Sequence, residues 1–266
     1  MSNLWSKICI LSRFEPLSDK ALELVRGAIR CSGDIPLDII IPHSGWDQLA
    51  DALLKESHRW RSIDFGLDPP TAPQLRALKG KIPHLECLAL DCKEVDVAYL
   101  GAISEAFRDA PAIRRLACST NIFAAEFPWH HLVEVGLSPF TAGPPPPSSM
   151  DLVLKVMLLP SLRVLYLPEI VPPTRCEVRN PGIQKLRYEA RMFGRHGLWL
   201  QFLDLPSLTT AEIHGEYLDA FTQLVHRSAC PLTCLHVPFF SIRTPRAHDA
   251  LESLLLATPQ LSTLCL

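Results

Sequence analysis

Glycine is scarce in this sequence, with 12 residues against 24 prolines in a chain of 266. No G-x-x-x-x-G-K-[ST] or G-x-G-x-x-G segment is present, so no glycine-rich phosphate cradle is expected. No G-x-S-x-G elbow is present either, which leaves a hydrolase triad without a visible nucleophile. Long apolar runs are missing. The best, residues 152–159, is interrupted by Lys155, so no transmembrane span is expected. The first residues, MSNLWSKICILSRFEP, are split by Lys7 and do not read as a signal peptide. The nine cysteines form no C-x-x-C pair, and free thiols in an intracellular protein, cytoplasmic or nuclear, are the expectation. Cationic excess is absent too. With 26 Lys+Arg against 28 Asp+Glu the net charge is −2, which argues against a nucleic-acid binder.

What is abundant is leucine, 43 residues, and it recurs in a pattern. The segment P-x-L-x-x-L-x-L, with apolar substitutes, occurs at Pro83-Leu85-Leu88-Leu90, Pro111-Ile113-Leu116-Cys118 and Pro160-Leu162-Leu165-Leu167. It returns at Pro181-Ile183-Leu186-Tyr188, Pro206-Leu208-Ala211-Ile213 and Pro259-Leu261-Leu264-Leu266. Copies without that proline begin at Trp60, Leu132 and Leu232, and Trp5-Ile8-Ile10 and Leu37-Ile39-Ile41 read as further strands. First anchors at 60, 85, 113, 132, 162, 183, 208, 232 and 261 are spaced like the units of a leucine-rich-repeat solenoid. Between them, residues 18–31, 46–57, 95–109 and 216–228 carry helical apolar periodicity, and another helix opens at Thr244-Pro245. The recurrent proline cannot continue a helix and turns the chain into the next strand.

The expected fold is therefore α/β, one irregular leucine-rich-repeat solenoid over residues 1–266. A parallel sheet should line the concave side and helices the convex side. Residues 138–149 with Pro144–Pro147, 168–182 and 191–198 interrupt the rhythm and read as loops. The strand over 261–266 is followed by no polar capping unit, so an exposed apolar strand face is expected there, as in an incomplete or fragmentary gene product.

Several stretches resemble the irregular leucine-rich region of F-box proteins of the kind expanded in mushroom-forming fungi. They are LWSKICI (4–10), SHRWRSIDF (57–65), FRDAPAIRRLAC (107–118), FPWHHLVEVGL (127–137), LPSLRVLYLPE (159–169) and CPLTCLHV (230–237). The resemblance implies a substrate-receptor region of a ubiquitin ligase. The F-box itself would precede Met1, so docking to a Skp-type adaptor is expected only with such an upstream segment. Residues 1–266 alone should not bind the adaptor.

Candidate chemistry is sparse. His130, His131 and Glu134 make H-x-x-E instead of H-E-x-x-H, and they read as a surface pair flanking Trp129. Cys230, Cys234 and His236 lack a fourth zinc ligand at suitable spacing. The basic stretch 175–195 reads as a solvated loop. No catalytic residue, cofactor or metal is expected. The leading expectation is a non-catalytic module binding an unknown protein. A degenerate relative without independent function, or an enzyme on another α/β fold, are the alternatives. Strand alternation puts Arg115, Glu134, Tyr166, Lys185, Arg187, Glu212 and His236 on the concave face as candidate partner contacts.

Overall fold

The computed structural model describes residues 5–10, 17–41, 46–67, 72–92, 97–119, 122, 125–138, 153–168, 177–189, 198–238 and 245–266. The Pro144–Pro147 run, Thr244 and most of 191–198 lie outside them. The chain divides into two compact units, residues 1–132 with 140–145, and residues 133–139 with 146–266.

In the first unit, β1 (Lys7–Cys9), β2 (Leu37–Ile41), β3 (Trp60–Leu67), β4 (Cys87–Cys92) and β5 (Arg115–Ser119) pair in chain order, every pair parallel. Helices α1 (Asp19–Cys31), α2 (Trp46–Lys55), α3 (Ala72–Leu75) and α4 (Val97–Phe107) stand between them. Parallel neighbours require such crossovers. Helix α1 begins where the Ser18 hydroxyl accepts the Ala21 N–H, with Asp19 in its first turn and Arg30 in its last, both suited to the helix dipole. Trp46 of α2 meets Phe65 of β3 edge-on at 4.6 Å, and Trp60 lies 5.8 Å from the same ring. All three rings are fully buried and join helix to sheet.

In the second unit, β6 (Glu134–Ser138), β7 (Val164–Pro168), β9 (Lys185–Glu189), β11 (Thr210–Ile213), β12 (Cys234–His236) and β13 (Thr263–Cys265) form a parallel sheet. A two-residue pair, β8 (Val178–Arg179) with β10 (Leu203–Asp204), stands apart from it. Helices α5 (153–157), α6 (Leu218–Ser228) and α7 (Pro245–Ala257) complete the unit.

The leucine pattern becomes a set of rows across each sheet. Ile8, Ile39, Ile63, Leu88 and Leu116 are in register in one unit, and Val135, Leu165, Leu186, Ala211, Leu235 and Leu264 in the other. From Leu165 to Leu235 the row is 0% exposed. Each leucine of the row is worth about 1.5–3 kcal/mol on leaving water.

The recurrent proline has a more specific role than ending a helix. In Ile82–Leu85, Leu159–Leu162, Leu205–Leu208 and Thr258–Leu261 the first carbonyl accepts the fourth N–H, which makes each a β-turn with proline second. Proline's fixed φ suits that position. The residue before each strand then acts as a hub. The carbonyls of Val133, Arg163, Gln184, Thr209 and Thr233 each accept two successive N–H groups from the next repeat. Threonine and serine hydroxyls reinforce this line, Thr209 on Gln184, Thr233 on Thr209 and Ser262 on Thr233.

Two expectations need correction. The basic stretch 175–195 is not a continuous loop: it contains β9, the strand that the repeat at Pro181–Tyr188 marks, and also β8, whose two residues are too few to show a pattern. Helices α3 and α5 were not anticipated, since four or five described residues give too little periodicity to detect.

Candidate functional site

Because strand side chains alternate, the residues between the anchors face away from the core. In the second unit these form two rows. Glu134, Val164, Lys185, Thr210, Cys234 and Thr263 make one, and Gly136, Tyr166, Arg187, Glu212, His236 and Cys265 the other. Six of the seven candidate residues therefore share one face of one sheet. The seventh, Arg115, sits on β5 in the first unit, in register with Cys87.

The polar groups of this face are engaged with one another. Tyr166 stands beside the Glu134 carboxylate, and burial, followed by that neighbouring charge and hydrogen bonding to it, pushes the phenol above its ordinary range. Tyr166 is thus a donor at neutral pH. The Lys185 ammonium stands 5.9 Å from the centre of the Tyr166 ring, within cation–π range. Arg187 Nε lies 3.3 Å from Glu212 Oε1. His236 Nδ1 lies 3.9 Å from Glu212 Oε2, so a protonated imidazole would extend the ion pair to a third strand. Glu134 and Glu212 balance Lys185 and Arg187, so the patch has no net charge while the imidazole is neutral. Such a surface orients a partner through directional bonds and does not attract a polyanion.

The face of the first unit is dressed differently. Arg61 makes a two-armed contact with Asp38 across β2 and β3, next to the register shift between Leu37 and Asp38. Alternation alone missed this pair, because the irregularity there puts Arg61 out of the regular rows. Asp64 reaches solvent, yet burial of its carboxyl by the surrounding sheet, and then the charge of Asp91, raise its pKa. The Cys87 thiol is pushed up by burial, partly opposed by Arg115.

The other candidates do not converge on a reaction centre. His130 and His131 lie in a short 3-10 turn, Trp129–His131, with ring centres 4.0 Å apart. Cys230 is buried ahead of β12, where burial raises its thiol, whereas Cys234 and His236 lie on the open face. Among the described residues no group of three or more His, Cys, Asp or Glu is placed to hold a metal ion. Arg179 in β8 pairs with Asp204 at 3.2 Å, while Arg175, Arg191 and Arg195 lie outside the described residues. Among the described residues, no helix is long and apolar enough to cross a membrane.

No protein-family model matches the chain, and no curated protein matches it.

Proposed function

We propose that this chain is a leucine-rich-repeat solenoid acting as a non-catalytic recognition module inside the cell, related to the substrate-receptor region of F-box proteins. Its protein partner docks on the open face around Tyr166, Lys185 and Arg187, and Glu134, Glu212 and His236 fix orientation. Arg115, on the first unit, is a separate candidate contact. Engagement of a Skp-type ubiquitin-ligase adaptor would fall to an F-box upstream of these residues.

One observation carries the reading. A half-exposed tyrosine is held by Glu134 and Lys185 on a sheet face whose register neighbours are as small as Gly136, beside an arginine steered by Glu212. Preorganised Tyr and Arg side chains lose little entropy on binding and dominate interface energetics. The proline turns and in-register anchors support the solenoid reading, since in such a fold each repeat buries its neighbour.

The test is capture of partners by photo-crosslinking from the open face, followed by affinity measurement. Arg115→Ala, Tyr166→Ala and Arg187→Ala are compared with Glu23→Ala on α1 and Gln223→Ala on α6. Tyr166→Ala and Arg187→Ala are expected to weaken binding at least about tenfold, or about 1.4 kcal/mol. Unchanged binding in all three open-face variants, with loss in the helix variants, overturns the proposal.

A further inference from the structure

We propose that the protein partner anchors itself on the open face of the second unit with an acidic side chain, an aspartate or glutamate carboxylate seated on the Lys185 ammonium. The inference rests on the docking reading above and adds the partner's chemistry to it.

The charges of the face give the first reason. Arg187 is met by Glu212 at 3.3 Å, and His236 stands 3.9 Å from the other oxygen of that carboxylate. Glu134 has the Tyr166 phenol beside it. Lys185 differs. Among the described residues no carboxylate lies within ion-pair distance of its ammonium, which instead stands 5.9 Å from the centre of the Tyr166 ring. A ring face attracts a cation but supplies no countercharge.

Register gives the second reason. Lys185 lies between Val164 on β7 and Thr210 on β11, with Cys234 of β12 next beyond, and all four residues are partly buried. None of these neighbours is a carboxylate. Among the described residues the Thr210 hydroxyl has no hydrogen-bond partner, so it is available as a second donor beside the ammonium.

Desolvation identifies the occupant. A partner lying on Tyr166 and Arg187 also covers Lys185, which is two residues from Arg187 on β9 and borders the Tyr166 ring. Taking an ammonium out of water without a countercharge is strongly unfavourable. The face itself cannot supply one, since Glu212 is occupied by Arg187, and Glu134 stands two strands away across Val164. The countercharge must come from the partner. A carboxylate there accepts from the ammonium and from the Thr210 hydroxyl, whereas a cationic side chain would meet Lys185 and Arg187 together.

Peptide display tests this, with the folded chain as bait and a random-sequence peptide library as the probe. Binders that Tyr166→Ala weakens are retained, which confines them to the open face. These peptides are expected to carry Asp or Glu at one position, and replacing that acid by Asn or Gln should weaken binding at least about tenfold. Lys185→Met keeps an apolar stem and should weaken the acidic peptide likewise, and on that variant removing the acid should have no further effect. Lys185→Glu should bind the peptide that carries Lys in place of the acid. Circular-dichroism melts check both variants, and the Lys185→Met cycle decides alone if Lys185→Glu is unfolded. Tyr166-dependent binders with no acid preference, or an equal loss from acid removal on the parent and on Lys185→Met, overturn this inference and leave the docking reading standing. Absence of any Tyr166-dependent binder overturns both.

Discussion

The sheet of the first unit presents small or acidic residues on its open face, such as Ser62, Asp64, Ala89, Asp91 and Ala117, with Arg115 beside Cys87. The corresponding face of the second unit presents Tyr166, Lys185, Arg187, Glu212 and His236, tied to one another across strands. Behind these faces the two units are nearly the same. Ile39 and Ile63 in one and Leu165 and Leu186 in the other are 0–1% exposed and occupy equivalent rows. The anchors hold the fold, and the alternate positions are free to differ, so recognition is expected where the units diverge.

The largest effect should come from the anchors. Leu165→Ala removes a fully buried side chain in the middle of its row and should cost about 2–5 kcal/mol in denaturant melts. Leu264→Ala should cost about 1 kcal/mol or less, because its side chain is already partly in water. Equal costs would break the distinction between inner and edge rows.

The polar supports of the second unit come next. Asn180 is buried, donates to the carbonyls of Met157 at 2.6 Å and Leu159 at 3.2 Å, and accepts the Gly182 N–H at 2.7 Å. Asn180→Ala leaves those groups unpaired and should cost about 1–3 kcal/mol. At Gly182 an added Cβ would meet the Leu162 carbonyl at 2.8 Å and the Arg163 guanidinium, which itself holds the Pro160 and Leu162 carbonyls. Gly182→Ala should therefore cost about 1–3 kcal/mol. Thermal melts that leave either variant unchanged would show that the turn before β9 is not held this way.

These supports also show what could be read in advance. Leucine spacing located the strands because an anchor must recur whenever a parallel strand returns to the same core. Strand alternation likewise placed six candidate residues on one face. The ion pairing of Arg187, Glu212 and His236 depends on which residues stand opposite in register, and no single segment encodes that. Asn180 was invisible for the same reason, since the carbonyls it bonds, those of Met157 and Leu159, lie about a full repeat earlier. The β8–β10 pair escaped because two residues per strand carry no period.

A smaller effect is expected on the open face itself. Glu212→Gln removes the carboxylate shared by Arg187 and His236 while keeping its shape. Partly exposed ion pairs contribute about 0–1 kcal/mol, so stability should barely move. Partner affinity should fall nonetheless, because Arg187 loses its orientation. A stability loss above about 2 kcal/mol would recast Glu212 as a structural residue.

The smallest effect sharpens the contrast from the side of the first unit. Burial and Asp91 raise the Asp64 pKa above its model-compound value of 3.8. Folding therefore favours the protonated carboxyl, and the linked stability is fully present below pH 3.8 and is lost as pH rises through the folded-state value. Asp64→Asn, which cannot ionise, should be more stable than the parent at pH 7 and indistinguishable from it in the acid range. Because Asp64 remains open to solvent, screening keeps the gain small. Urea midpoints at pH 3 and pH 7 measure the difference directly. A variant less stable than the parent at pH 7 would mean that the Asp64 carboxylate is held by a partner, and the acidic face of the first unit would then be a bonded network comparable to that around Glu212.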